Sequence, residues 1–325
     1  MRLGLDIGGT KTDAVAVDDR GTVVERVRLP TGFGAEAVVS TALAGIARVA
    51  ELTGRAPEEF ESIGIGIPGQ VDVTAGTVSH AVNLGFDELS LGPLLGERLG
   101  CPVKVENDVK AAALGAYHLM TAQPQLTARS MAYLNLGTGL AAGLVIDGRL
   151  WRGARGAAGE IGHIPVDPNG VLCPCGQRGC LETVASGSAI ARQWTSPGAA
   201  DPIPARSLMA AADAGDPEAV AIRSLLVDNV AAAVRVLVLT VDVEIVMIGG
   251  GLSNLGEWLL DEVRRVLASW AEESPFLASL GLESRVLLVP AGFPAAAVGA
   301  ALVGAPSTAP AAADDTDERI PTWQK

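Results

Sequence analysis

Alternation of apolar and polar residues predicts the first two strands of the chain. Residues 2–7 (RLGLDI) alternate, and residues 13–18 (DAVAVD) alternate again. The glycine-rich stretch 8–11 between them predicts a hairpin with an open tip, because glycine lets the backbone turn and approach a ligand closely. Two interpretations remain open, a phosphate site on the backbone amides and an ordinary glycine turn. No G-x-x-x-x-G-K-[ST] motif is present, and no G-x-G-x-x-G stands between a strand and a helix.

The same pattern returns at residues 131–149. The run MAYLNL leads to a Gly-Thr-Gly loop at 137–139, and the run LAAGLVIDGRL follows. Two copies of strand, glycine-threonine loop and strand predict a duplicated fold with facing loops, with a nucleotide in the cleft between them. A third glycine loop at 249–251 follows the strand VEIVMI, where a base or ribose would approach the backbone closely.

Helical spacing of apolar residues predicts helices over about 35–53, 90–99, 207–214, 217–239, 257–270 and 294–304. The helix at 217–239 is expected in a core, because its apolar residues recur at helical spacing: Ile222, Leu225, Leu226, Val230, Val234 and Leu237. A loop is expected around Asn83, and a strand over 285–289. The strand VKVE (103–106) runs into Asn107 and Asp108 and then a helix. Asp108 is either an N-cap or a carboxylate at the end of a strand, where open α/β sheets bind ligands.

Composition indicates a cytoplasmic protein of two lobes. The 325 residues exceed the usual size of one domain, and 49% of them are hydrophobic. No apolar run reaches the roughly 20 residues of a membrane span, and the start MRLGLDIGGT lacks the pattern of a secretory signal. The formal net charge of −13 argues against a nucleic-acid surface. The tail 306–325 carries almost no apolar pattern and is expected to be disordered.

Three of the four cysteines stand close together at Cys173, Cys175 and Cys180, and His163 precedes them. Three thiolates and one imidazole make a closed ligand set that is typical of structural zinc. The set leaves no open position, which argues against a catalytic zinc, and the spacing suits a metal in a reducing cytosol better than a disulfide framework. The other interpretation is a chance cluster.

Two carboxylates flank the cysteine cluster. Glu160 lies three residues before His163, and Glu182 lies two residues after Cys180. A zinc ion that fixed His163 and Cys180 would also fix these two carboxylates. Without a basic partner close in sequence, they are suited to accept hydrogen bonds from a polyhydroxyl ligand. The other interpretation is a pair of surface carboxylates.

These residues resemble the ROK family of sugar kinases, within the actin-like, ribonuclease-H-like ATPase superfamily. The resemblance covers residues 2 to about 304, and GEIGH followed by the cysteine knuckle is its most specific part. The matching motifs are DIGGTK (6–11), GIGIPGQVD (64–72), ENDVKAAALG (106–115), LNLGTG (134–139), GEIGH (159–163), CPCGQRGCLE (173–182) and IGGGL (248–252). It implies an α/β fold, two-lobed and actin-like (ribonuclease-H-like), with an interlobe cleft and a structural zinc knuckle.

The resemblance also implies a division of the chain. Residues 1–120 would form a small N-terminal lobe, with the helix at about 294–304 packing back on it. Residues 121–293 would form a large lobe with the zinc knuckle 163–180. A homodimer is expected.

The resemblance implies a role for individual residues. Asp108 would be the general base that takes the proton from the sugar 6-hydroxyl. The sugar pocket would be formed by Gly69, Asn83, Asn107, Asp108, Glu160, His163 and Glu182. ATP would be held by Gly9, Thr10, Lys11, Gly137, Thr138, Gly250 and Gly251, with Asp6 near Mg²⁺. Structural Zn²⁺ would be bound by His163, Cys173, Cys175 and Cys180.

An ATP-dependent hexose kinase acting on the 6-hydroxyl of glucose is therefore expected. The alternative is an N-acetylglucosamine or N-acetylmannosamine kinase. More distant alternatives are a sugar-binding pseudokinase and a non-catalytic sugar-sensing ROK regulator, whose DNA-binding domain would precede the strand that starts here at residue 2. One departure from the family pattern is LAAG at 140–143, where further glycines are frequent. Ala141 and Ala142 are expected to shift the second phosphate loop, which bears on the choice of phosphoryl donor.

Overall fold

The computed structural model of the protein describes residues 1–123, 125–195 and 204–304. The expected disordered tail at 306–325 lies outside the described residues. The described strands are β1 (Arg2–Ile7), β2 (Lys11–Val17), β3 (Val23–Pro30), β4 (Ile63–Ile67), β5 (Gln70–Asp72), β6 (Thr77–Ala81), β7 (Phe86–Leu89), β8 (Val103–Asn107), β9 (Ser130–Leu136), β10 (Leu140–Ile146), β11 (Arg149–Trp151), β12 (Ile245–Gly249) and β13 (Val286–Leu288).

Seven of the nine described helices fall close to the predicted ranges, and the two short helices α4 and α8 were not predicted. The helices are α1 (Ala35–Thr53), α2 (Leu91–Leu99), α3 (Asp108–Thr121), α4 (Gly187–Gln193), α5 (Pro204–Asp213), α6 (Pro217–Val241), α7 (Glu257–Glu273), α8 (Pro275–Leu280) and α9 (Ala295–Val303). After the third glycine loop, a short 3₁₀-helix (Gly251–Leu255) precedes α7.

Two five-stranded sheets share one topology. The first has the order β3-β2-β1-β4-β8 and the second has the order β11-β10-β9-β12-β13. In each sheet the hairpin strands pair antiparallel, and the last three strands run parallel. This equivalence confirms the duplication that the two glycine-threonine hairpins predicted. It also brings the carboxyl ends of the parallel strands to one edge of each sheet, where α/β folds place ligands.

The segment after β4 differs from the sequence-based expectation of a loop around Asn83. It forms a small antiparallel sheet of β5, β6 and β7, and Asn83 stands in the short 3₁₀ turn Val82–Leu84 between β6 and β7. The strands are only three to five residues long. The turn projects Asn83 into solvent next to the first glycine hairpin.

Helices α3 and α9 pack against each other and lie between the two sheets. Helix α9 contacts β1, β2 and β4 of the first sheet, whereas α3 contacts β9 and β10 of the second. Glycines allow the close approach: a Cβ at Gly299 of α9 would lie 1.7 Å from the Ala111 carbonyl oxygen of α3, and one at Gly115 would lie 2.0 Å from the Ala295 oxygen. The start of α3, directly after β8, is thereby held between the two sheets.

Helix α6 is the central core helix of the second half. Among the described residues it is the one helix long and apolar enough to span a membrane by length and composition, and 44% of its most apolar window is buried. Its buried side chains belong to the largest hydrophobic cluster, which covers one face of the second sheet. The prediction of a core helix is confirmed except at Leu225, which is 39% exposed.

Candidate active site and metal centre

The parallel strands of the first sheet align three chain positions near their carboxyl ends. Asp6 of β1 is in register with Gly66 of β4, which is in register with Glu106 of β8. Asp108 begins α3 two residues after Glu106. A Cβ at Gly66 would lie 3.2 Å from the Ala111 Cβ and 3.5 Å from the Asp108 Cα, so the first turn of α3 packs directly on the end of β4.

The N-cap of α3 is Asn107, not Asp108. The Asn107 side-chain oxygen accepts hydrogen bonds from the backbone N–H of Val109 (3.1 Å) and Lys110 (3.2 Å). Its Nδ2 donates to the Gly69 carbonyl oxygen at 3.2 Å, which joins two residues predicted for the sugar pocket. The N-cap interpretation of Asp108 is therefore wrong: the Asp108 carboxylate accepts the N–H of Val109, at 2.9 Å, and its own backbone N–H, whereas Asn107 caps the helix.

Burial and neighbouring charge act together on Asp108 and Asp6. Burial raises the pKa of Asp108, the Val109 N–H and Lys110 lower it, and Glu160 raises it. Burial raises the pKa of Asp6 to about 7, and Asp108 is the next cause. A buried carboxyl whose pKa is raised by burial and by a neighbouring carboxylate is a natural place for a cation.

The first glycine hairpin turns tightly beside Asn83. The Gly8 N–H donates to the Lys11 oxygen at 3.0 Å, which closes the hairpin tip. A Cβ at Gly9 would lie 3.4 Å from the Asn83 carbonyl oxygen, so a predicted nucleotide residue lies next to a predicted sugar residue. Thr10 is fixed through its carbonyl, which accepts the Thr31 N–H. Lys11 is exposed at the end of the hairpin.

The second glycine loop is held by the start of α4. The carbonyl oxygens of Gly137 and Thr138 accept hydrogen bonds from Gly187 N (2.8 Å) and Ser188 N (3.1 Å). The third loop packs closely on the second. Gly250 has φ 84, and a Cβ added there would lie 2.6 Å from the Leu136 carbonyl carbon, so the contact requires glycine. The adjacent Gly251 is exposed and has nothing within 4 Å of a built Cβ.

The two alanines that depart from the family pattern belong to a regular strand. Ala141 pairs with Asn135 and Ala142 pairs with Leu134 in the β9–β10 hairpin. Extended backbone has negative φ for every residue, so alanine causes no strain there. The expectation that these alanines shift the glycine loop is not supported by this geometry, because the loop ends at Gly139.

The cysteine cluster has the dimensions of a zinc site. The donor atoms of His163, Cys173, Cys175 and Cys180 all lie within 4.8 Å of one another. The Cys175 and Cys180 sulfurs are 3.6 Å apart, and the Cys173 sulfur is 3.8 Å from His163 Nδ1. A tetrahedral zinc with Zn–S bonds of about 2.3 Å sets its ligands ~3.8 Å apart. The donor set and its spacing therefore fit zinc.

Glu182 lies against this cluster. Its Oε1 is 3.2 Å from the Cys173 sulfur and 3.6 Å from His163 Nδ1. His163 thus turns Nδ1 towards the thiols, and its Nε2 points the opposite way. Burial first, and then the side chains of Cys175, Glu182 and Cys180, raise the pKa of the Cys173 thiol to about 12 against an opposing effect of the Cys175 backbone N–H. Binding of a cation at the thiolate must therefore release a proton.

The predicted site residues form two groups. Asp6, Asp108, Asn107 and Gly69 lie at the first sheet, whereas His163, the cysteines and Glu182 lie at the metal centre. Glu160 connects the groups through its electrostatic effect on Asp108. No hydrogen bond in the described parts of the chain joins the glycine loops to Asn107, Glu160 or His163.

One contact near the site was not predicted from sequence. Arg152, which follows β11, forms an ion pair with Glu106 at the end of β8, with 2.6 Å between Arg152 Nη2 and Glu106 Oε2. The Glu106 side chain is 2% exposed. Glu106 stands inside the motif ENDVKAAALG, but residues 46 positions apart give no sequence signal of their pairing.

Comparison with known proteins decides the family. The family model described as "ROK family" matches residues 2–303. This chain is a member of the ROK family.

Two curated relatives and one solved structure show how similar other ROK proteins are. A glucokinase of Streptomyces coelicolor is 35% identical over 287 residues, with 83% of this chain and 88% of the relative covered. An N-acetylmannosamine kinase of Citrobacter koseri is 34% identical over 268 residues, covering 82% and 88%. The crystal structure of a ROK family glucokinase from Streptomyces griseus in complex with glucose and AMPPNP has a TM-score of 0.77 at 34% identity, covering 93% and 98%. The predicted α/β fold of the actin-like class is confirmed.

Proposed function

We propose that this ROK protein is an ATP-dependent hexose kinase that phosphorylates the 6-hydroxyl of glucose. The observation that carries the proposal is the position of Asp108. Its carboxylate is buried at the carboxyl ends of the parallel strands, close enough to Asp6 to raise the pKa of Asp6. The glucokinase relatives support glucose as the substrate.

Asp108 acts as the general base. Its free carboxylate oxygen accepts the proton of the sugar 6-hydroxyl while the hydroxyl oxygen forms a bond to the γ-phosphorus. The bond from that phosphorus to the β,γ-bridging oxygen breaks, and ADP leaves with the electron pair. Positioning and neutralisation of charge supply most of the catalysis in such transfers, and a general base contributes about 10²–10⁴-fold.

The glycine loops hold the nucleotide. Backbone N–H groups of Gly9, Thr10 and Thr138 face the phosphates, and Lys11 adds a positive charge. Gly137 shapes the second loop, because its own N–H donates to the Gly139 oxygen at 3.0 Å. Gly250 and Gly251 lie along the adenosine. Mg²⁺ neutralises charge on the phosphates in this class of reaction. Asp6 suits that ion, because burial and the neighbouring Asp108 oppose the ionisation of its carboxyl until a cation balances the charge.

The sugar is held by the metal centre and the cap of α3. Structural zinc on His163 Nδ1 leaves Nε2 free to meet a sugar hydroxyl. Glu160 and Glu182 accept from adjacent hydroxyls. Asn107, Gly69 and Asn83 complete the pocket.

The arrangement of the chain follows the same proposal. Residues 1–120 with the helix at about 294–304 form the small lobe, and residues 121–293 form the large lobe. Closure of the two lobes excludes water and limits hydrolysis of ATP. The protein works in the cytoplasm as a homodimer.

A coupled assay of ADP formation tests the proposal. Purified protein with ATP and Mg²⁺ is offered glucose, mannose, N-acetylglucosamine and N-acetylmannosamine. Glucose is expected to give the highest kcat/KM, with glucose 6-phosphate as the product. A preference for N-acetylmannosamine would support the second candidate, which the Citrobacter relative favours at nearly the same identity. No sugar-dependent ADP formation with any of the four sugars would refute the kinase assignment.

A further inference from the structure

A buried ion pair connects the second sheet to the strand that leads to Asp108. Arg152 follows β11, and its guanidinium donates to Glu106 Oε2 from Nε at 2.7 Å and from Nη2 at 2.6 Å. The Glu106 side chain is 2% exposed, whereas that of Arg152 is 37% exposed. Burial of a carboxylate this deep is costly without a partner, and Arg152 supplies two hydrogen-bond donors to it.

The second oxygen of Glu106 acts on the chain immediately before Asp108. Glu106 Oε1 accepts the backbone N–H of Asn107 at 3.0 Å. Asn107 in turn caps α3 and donates to the Gly69 oxygen. Through these contacts the guanidinium of Arg152 orients the peptide that carries the side chains of Asn107 and Asp108.

On the other side of the ion pair, the chain after Arg152 leads into the segment that is proposed to bind the sugar. Arg152 starts a tight loop that its own carbonyl closes by accepting the Ala158 N–H at 3.1 Å. Gly153 and Gly156 turn the loop at φ 74 and 75. Gly159 then packs on β10, with a built Cβ only 1.9 Å from the Ala142 oxygen, and Glu160 follows directly. Arg152 therefore stands between Glu106 and the segment that carries Glu160 and His163.

We propose that Arg152 and Glu106 are positioning residues that align Asp108 with the sugar held by the Glu160–His163 segment. The inference rests on the proposed kinase function. The pair touches neither sugar nor ATP. It fixes the β8–α3 junction relative to the loop after β11, so that the carboxylate of Asp108 and the 6-hydroxyl meet in the reactive geometry. An error of about 1 Å in such an alignment is able to cost 10²-fold in rate.

The test separates turnover from sugar binding. Arg152→Met removes the positive charge, and Arg152→Lys keeps the charge but loses the paired N–H donors of the guanidinium. Glu106→Gln removes the negative charge and keeps an acceptor for the Asn107 N–H. The matched control is Arg129→Met, because Arg129 forms an exposed ion pair with Asp147. Each variant is measured for kcat, for the glucose Kd by calorimetry and for thermal unfolding.

Arg152→Met and Glu106→Gln are each expected to lower kcat by about 10–100-fold while the glucose Kd stays within about threefold. Arg152→Lys is expected to recover part of kcat, because a charge is retained. The double variant Glu106→Gln/Arg152→Met is expected to be no slower than the slower single variant, since both changes break one connection. Arg129→Met is expected to keep the wild-type kcat.

Three results would overturn the inference. They are a folded Arg152→Met enzyme with kcat within twofold of wild type, a raised glucose Kd with unchanged kcat, and losses that multiply in the double variant. If Arg152→Met does not fold, kcat and the glucose Kd are compared in Arg152→Lys and in the double variant instead. The double variant leaves no unpaired buried charge. An inactive wild-type protein would instead refute the proposed function, and this inference with it.

Discussion

The carboxylate of Glu182 lies 3.2 Å from the sulfur of Cys173. Its other oxygen points to the second glycine loop, where a Cβ built on Gly139 would come within 2.9 Å of Glu182 Oε2. One side chain thus spans the metal-donor set and the loop proposed to hold phosphate. The position of this side chain therefore couples the metal-donor set to that loop.

Loss of one zinc ligand is expected to weaken glucose binding. Cys173→Ser removes a buried thiolate and releases Glu182 and His163 from their fixed positions. Elemental analysis of the wild-type protein is expected to give about one zinc per chain, and of the variant well below that. The glucose Kd, measured by calorimetry, is expected to rise at least about tenfold, in the range that disturbed metal sites show.

Cys101→Ser is the matched control, because Cys101 is the one cysteine outside the cluster. It is expected to keep both the zinc and the glucose affinity. A zinc-free Cys173→Ser protein that bound glucose as tightly as wild type would show that the metal does not organise the sugar site.

Asp108→Ala is expected to abolish turnover and spare sugar binding. The variant loses the proton acceptor, so kcat is expected to fall by about 10²–10⁴-fold. Asn107, Glu160 and His163 remain, so the glucose Kd is expected to stay within about threefold. Asp19→Ala is the control, since the Asp19 side chain is 83% exposed. Near-wild-type turnover of Asp108→Ala would remove this residue from the catalytic role.

Much of this fold was predictable because it repeats in sequence. The two glycine-threonine hairpins predicted the two equivalent sheets, and the spacing of three cysteines and a histidine predicted the cluster of four metal donors. Each of these predictions rests on residues that are close together in sequence, so it does not depend on contacts between distant segments. The helices were also predictable, since α1 and α7 carry apolar residues at helical spacing.

Other features could not be predicted from sequence, because neighbouring residues compete for one role or because the residues in contact are far apart along the chain. Asn107 and Asp108 are both good N-caps, and only the backbone geometry selects Asn107. The strands around Asn83 are too short to give a clear alternation. The pairing of Arg152 with Glu106 joins distant segments, which no local pattern reports. These are the places where tertiary contacts determine the structure.

The stability of the metal-free protein is expected to depend on pH through Asp6. Its folded pKa of about 7 is raised by burial first, then by Asp108 and Asp13, against smaller opposing effects of Lys11 and Arg26. Between about pH 4 and 7 the folded state keeps a proton on Asp6 that the unfolded chain releases. The contribution of Asp6 to stability is therefore present at low pH and is lost as the pH rises through 7.

Asp6→Asn removes this titration. Urea unfolding without added Mg²⁺ is expected to give similar free energies for the variant and wild type near pH 4. The advantage of the variant is expected to grow to the order of a few kcal/mol by pH 8. Asp19→Asn, at an exposed site, is expected to follow the wild-type curve. Parallel curves for Asp6→Asn and wild type would show that Asp6 is ionised in the folded protein throughout this range.

Two glycine-to-alanine changes in helices are expected to alter stability in opposite directions. At Gly299 a Cβ would lie 1.7 Å from the backbone oxygen of Ala111, so α9 and α3 must separate, at a cost of about 1–3 kcal/mol or more. At Gly45 of α1 the nearest atom is the Ala14 Cβ at 3.4 Å, an ordinary contact. Gly45→Ala is therefore expected to be neutral or to stabilise by up to about 1 kcal/mol through helix propensity.

Urea unfolding of both variants at one pH measures the difference in their free energies of unfolding. The kcat of each variant shows whether the substitution also disturbs the proposed active site. Because α3 begins at Asp108, separation of α9 from α3 is expected to lower kcat in Gly299→Ala, whereas Gly45→Ala is expected to keep it. If Gly299→Ala were as stable and as active as Gly45→Ala, the close crossing of α3 and α9 would not be what holds Asp108 in place.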